Sequence, residues 1–69
     1  MPYINIKITK EETPVTTEQK QQLIEGATTL LQEVLGKNPK TTVVVIDEID
    51  MENYGLGGES IKERRKRGE

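Results

Sequence analysis

The chain reads as an α+β protein: a β-α-β unit with a parallel two-stranded sheet, a short C-terminal hairpin after it, and assembly as an oligomer. Three features predict this. Residues 2–9 alternate apolar and polar side chains, residues 17–35 repeat their apolar positions at helical spacing, and residues 41–47 form a β-branched run. A strand, a helix and a second strand joined by short connections make a right-handed crossover, which sets the strands parallel.

In the first strand Ile4, Ile6 and Ile8 share one face and Tyr3, Asn5 and Lys7 the other, the period of a half-buried strand. The following "KEETPVTT" is polar, lacks periodicity and contains Pro14, so it reads as a loop. Thr16 with Gln19 three residues later has the form of a capping box, starting the helix near Thr17. Leu23, Ile24, Ala27, Leu30, Leu31, Val34 and Leu35 then form its apolar stripe. Gly36 is placed to stop the helix in a left-handed conformation, with Pro39 just beyond. Gly26 in the helix interior costs about 1 kcal/mol relative to alanine, and is compatible with close backbone approach across the helix or with a tolerated defect.

The second strand, "TTVVVID", is apolar on both faces, with Val43 and Val45 opposite Val44 and Ile46. One helix covers one face of a two-stranded sheet. The other face must meet a second copy of the chain or stay wet, at about 25 cal/mol per Å². Size argues the same way, because a 69-residue chain buries only about 60% of its unfolded surface. The usual supplements to so small a core are disulfides, a metal or oligomerisation, and there is no cysteine or histidine. Beyond the strand, Gly55, Gly57 and Gly58 forbid a helix and predict a tight turn or short hairpin.

The net charge of −2 is unevenly spread, since "KERRKRGE" closes an otherwise acidic chain with a basic run. The expected organisation is one domain over 1–61 and a basic tail over 62–69. Such a tail can be a solvated, frayed terminus or can touch nucleic acid or acidic partners. No apolar run exceeds residues 43–46, far short of a signal peptide or membrane span, so a soluble cytoplasmic protein without a membrane partner is expected. Without His or Cys there is no Ser-His dyad, thiolate nucleophile or ordinary zinc site. Asp47, Glu48, Asp50 and Glu52 lack a recognised ligand spacing, and "GLGGES" lacks the full dinucleotide-binding spacing, so no metal or cofactor is expected.

Pro2 needs no partner motif. If Met1 is removed, Pro2 becomes a free secondary amine opening the first strand. A terminal amine has a reference pKa of about 7.7–8.0, which an apolar pocket or nearby cations would lower further. The result is a base poised near neutrality, able to take a proton beside a carbonyl or to add to the carbonyl itself.

Pro2 at the head of a strand, the single capped helix with "TEQKQQLIEG" at its start, the β-branched second strand and "NYGLGGE" near the end together resemble the 4-oxalocrotonate tautomerase family, over nearly the whole chain. The resemblance implies a tautomerase/MIF-like fold assembled as a homohexamer, a trimer of dimers with active sites at subunit interfaces. It implies an isomerase of the 2-hydroxymuconate tautomerase type, acting on a small unsaturated oxo-acid or enol, with Pro2 as general base once Met1 has left. Tyr54 matches the family's aromatic wall, a phenylalanine before the first glycine of the turn. The family's two carboxylate-binding arginines are not matched. The first falls in the loop, where Val15 or Glu12 aligns and Lys10 is the nearest cation, and the second aligns with Val43. Arg65 aligns with a cationic position near the family's C-terminus, flanked by Arg64 and Lys66, so tail cations reaching a neighbouring subunit's site are the expected replacement. The alternative keeps the fold without the chemistry, as an oligomeric module whose basic tail binds nucleic acid or acidic partners.

Overall fold

The computed structural model describes residues 1–68. Its elements follow in the order β1 (Tyr3–Thr9), α1 (Thr17–Leu35), a 3₁₀ turn (Pro39–Thr41), β2 (Val43–Ile49), a second 3₁₀ turn (Met51–Asn53), β3 (Gly55–Leu56), β4 (Glu59–Ser60) and α2 (Ile61–Lys66). They form the expected α+β arrangement: a β-α-β unit with a parallel two-stranded sheet, β1 beside β2, and a hairpin, β3 beside β4. The chain divides into two compact units. The first comprises Met1–Ile6 and Val15–Asp47, and the second comprises Lys7–Pro14 with residues from Glu48 onward.

In the first unit the Val43 N–H donates to the Pro2 carbonyl at 3.0 Å, which sets Tyr3 beside Val43. In the second the Lys10 N–H donates to the Ile49 carbonyl at 2.8 Å, which sets Thr9 beside Ile49. Both bonds give the same offset between the strands, as a parallel ladder requires. Asn5 Nδ2 also donates to Asp47 Oδ2 at 2.9 Å, joining the strands through side chains on one face.

The capping box forms as the spacing predicts. Thr16 Oγ1 accepts from the Gln19 N–H at 3.1 Å, and Gln19 Oε1 accepts from the Thr16 N–H at 2.9 Å. Gly36, at φ 67°, closes α1, its N–H donating to the Gln32 carbonyl at 2.9 Å while the Lys37 N–H donates to the Leu31 carbonyl at 3.5 Å. β2 starts two residues later than the β-branched run suggests, because Asn38 winds the chain into a 3₁₀ turn. Its side chain accepts from the Lys40 N–H, while the hydroxyls of Thr41 and Thr42 donate to its carbonyl at 3.3 and 3.0 Å. β2 then runs on to Ile49.

The single apolar stripe read for α1 divides in two. Ile24, Ala27, Thr28 and Leu31 are half-buried, whereas Leu23, Leu30, Val34 and Leu35 face outward. Ile4, Ile6, Val44, Val45 and Ile46 are half-buried in the same unit, and Val43 is exposed. No side chain among the described residues is fully buried, so the second strand is not covered on both faces within one chain. The space over Gly26 is open, since a Cβ there would meet nothing within 4 Å. Close approach across the helix does not occur among the described residues.

In the second unit Gly57 and Gly58, at φ 65° and 87°, make the turn between β3 and β4. Two successive positive φ values are the geometry of a type I′ hairpin turn, which glycine adopts without penalty. α2 takes in the first residues of the segment read as a basic tail. Ser60 caps it, with Oγ accepting from the Glu63 N–H at 3.2 Å.

Candidate active site

Pro2 lies immediately before β1. Its carbonyl is held by the Val43 N–H, so its backbone is tied to β2, the ring is half-buried, and Met1 in front of it is 91% exposed. Val43, the position aligned with one of the expected arginines, is therefore bonded through its backbone to Pro2 and lies beside Tyr3, one residue along. The side chain at that position is apolar and exposed.

The other residues singled out from the sequence lie in the second unit. Tyr54 follows the second 3₁₀ turn, with its carbonyl accepting from the Ile61 N–H at 2.7 Å and its side chain exposed. That bond fixes the backbone at the junction between the turn and α2. Lys10 Nζ lies 3.2 Å from Asp50 Oδ1, both side chains being at least half exposed. Arg64 is half-buried on α2, one turn from its start.

Arg65 carries the most developed contact of the set. Its Nη1 donates to Glu11 Oε1 at 2.6 Å and its Nη2 to Glu11 Oε2 at 3.2 Å, a two-pronged pairing of guanidinium with carboxylate. The Thr9 hydroxyl donates to the same Oε2. Hydrogen bonding from Arg65, with Thr9 adding to it, lowers the Glu11 pKa below the ordinary carboxylate range, and the bond to Glu11 raises that of Arg65. Glu11 is thus ionised throughout the neutral range. A groove of about 460 Å³ opens beside this pair, lined by Glu11, Glu12, Thr13, Met51 and Arg65.

Sequence reasoning missed both the partner and the platform. Glu11 was only part of a polar loop, and its pairing with a residue 54 positions away leaves no local pattern. The helix that presents Arg65 did leave one, because Ser60 followed three residues later by Glu63 is itself a helix-start signal. With α2 formed, three cations of the basic run are ion-paired. Lys66 reaches Glu63 at 3.2 Å and Arg67 reaches Glu59 at 2.6 Å, alongside Arg65 with Glu11.

The family model described as "Tautomerase enzyme" matches residues 2–64. "Probable tautomerase K2" of Dickeya dadantii is 61% identical over 66 residues, covering 96% of both chains. A "Probable tautomerase" of Helicobacter pylori strain J99 is 57% identical over 67 residues, 97% of this chain and 98% of that one. Among solved structures, DmpI from Helicobacter pylori superposes with a TM-score of 0.88 at 55% identity, over 94% of this chain and 97% of that chain. TomN, a 4-oxalocrotonate tautomerase homologue in the tomaymycin biosynthetic pathway, gives 0.82 at 26% identity over 99% and 100%. With its sequence matched over nearly the whole length and its fold shared, the chain belongs to the tautomerase family.

Proposed function

We propose that this tautomerase catalyses keto-enol or 1,3-proton transfer on a small unsaturated oxo-acid or enol, in the manner of a 2-hydroxymuconate tautomerase, with the nitrogen of Pro2 as general base after Met1 is removed. The carrying observation is the position of Pro2 at the head of β1, its carbonyl clamped to Val43 and a highly exposed Met1 before it. In the reaction the free secondary amine takes a proton from a carbon conjugated with the carbonyl, or from the hydroxyl of an enol, and the electron pair of the broken bond stays on the substrate as a dienolate. The ammonium so formed returns the proton to a different atom, restoring the amine. Atoms and charge balance without a cofactor.

Tyr54 supplies an aromatic wall, and Arg65, Arg64 and Lys10 supply the cations that attract the substrate's carboxylate from a neighbouring copy. The assembly is a homohexamer. Self-association is supported by the absence of any fully buried side chain among the described residues and by the outward-facing Leu23, Leu30 and Val34. No helix among the described residues is long and apolar enough to cross a membrane, in keeping with a cytoplasmic enzyme.

Conversion of 2-hydroxymuconate and of phenylenolpyruvate by the Met1-processed chain and by Pro2→Ala tests this reading. A base contributes on the order of 10²–10⁴ in rate, so the variant should fall by at least that lower figure. Equal rates would contradict it.

A further inference from the structure

The cation assigned to the substrate's carboxylate already holds one. Glu11 takes two of the five N–H donors of Arg65 in a fork-to-fork pairing, and the Thr9 hydroxyl donates to the same Oε2 that Nη2 reaches. This is the geometry in which an arginine binds a carboxylated ligand. Glu11 sits on the loop between β1 and α1 and Arg65 on α2, so the contact joins two separate elements across the mouth of the groove lined by both.

We propose that Glu11 is an internal competitor for Arg65, a specificity-determining residue that an incoming carboxylate must displace before it can be bound. This deepens the assignment of Arg65 as a substrate cation and rests on it. Two effects act in the same direction. Glu11 occupies the donor edge that a ligand needs, and its charge, with that of Glu12 on the same groove, repels a second anion. The pair is half exposed, with side chains 48% and 42% accessible, so displacement is easy enough to permit binding yet large enough to measure. The groove therefore favours ligands whose carboxylate can make both prongs at once. A monodentate or poorly aligned anion does not replace what it removes.

The test is the calorimetric affinity of muconate, a dicarboxylate lacking the reactive oxo group, for the wild-type chain, Glu11→Gln, Arg65→Ala and the double variant. Glu11→Gln keeps the side chain's size while removing its charge and one acceptor. It should tighten muconate about two- to fivefold, the range set by an exposed ion pair. The gain should vanish when Arg65 is also replaced. Unchanged or weaker binding in Glu11→Gln, a gain that persists without Arg65, or no muconate binding by any variant would each overturn the proposal. Failure here is distinct from failure of the proline base, because Pro2→Ala is read in rate and Glu11→Gln in affinity.

Discussion

A proline nitrogen is a base only when it is not part of a peptide bond, so at the scale of single residues Met1 controls the chemistry of Pro2. The same logic of occupied groups governs Arg65, whose guanidinium is committed to Glu11 until something displaces it. The depressed pKa of Glu11 carries a linkage. Its contribution to stability is present above the ordinary value of 4.5 and is lost as pH falls through the lower folded value. Glu11→Gln should therefore lower the melting temperature slightly across the neutral range and flatten its dependence on pH below about 4.5, where the two chains converge, the effect being small because the pair is half exposed. A melting curve series at falling pH checks this, and identical acid limbs in the two chains would count against the assignment. As the proposed aromatic wall, the exposed ring of Tyr54 contributes to binding rather than to proton transfer, so Tyr54→Ala should raise KM for phenylenolpyruvate more than it lowers kcat.

Among the elements, α1 was legible to the residue. Thr16, Gln19 and Gly36 are local signals whose energetics do not depend on the rest of the molecule, and both the cap and the left-handed stop form where they predict. Thr16→Ala should accordingly cost about 1 kcal/mol in urea unfolding with the slope unchanged. The hairpin was legible for the same reason, because two successive glycines at positive φ leave few alternatives. Gly58→Ala should destabilise by roughly 1–2 kcal/mol, since φ 87° is strained for any residue bearing a Cβ. The start of β2 was not legible, because the side-chain and backbone bonds around Asn38 outweigh the β-branched propensity of Thr41 and Thr42. Nor was the contact of Arg65 with Glu11, which depends on two distant segments meeting rather than on any periodicity.

At the scale of the whole molecule, the chain exposes 5296 Å² against about 4,400 Å² for a self-contained protein of 7.8 kDa. The sequence anticipated this from the two-sided apolar second strand and the lack of cysteine and histidine, but could not tell which apolar positions of α1 would face outward. Leu30 and Val34, 57% and 68% exposed, now mark that face. Val34→Glu should shift the sedimenting species from a multiple of 7.8 kDa toward the single chain, and an unchanged mass would remove that face from the assembly. The proposed chemistry depends on a single free amine, and one measurement bears on that amine most directly. Preparations with different degrees of Met1 removal, quantified by intact mass, are assayed for phenylenolpyruvate ketonisation. The rate per chain should rise in proportion to the fraction beginning at Pro2 and extrapolate to zero for the Met1-bearing chain, whereas equal activity with Met1 in place would contradict the central claim.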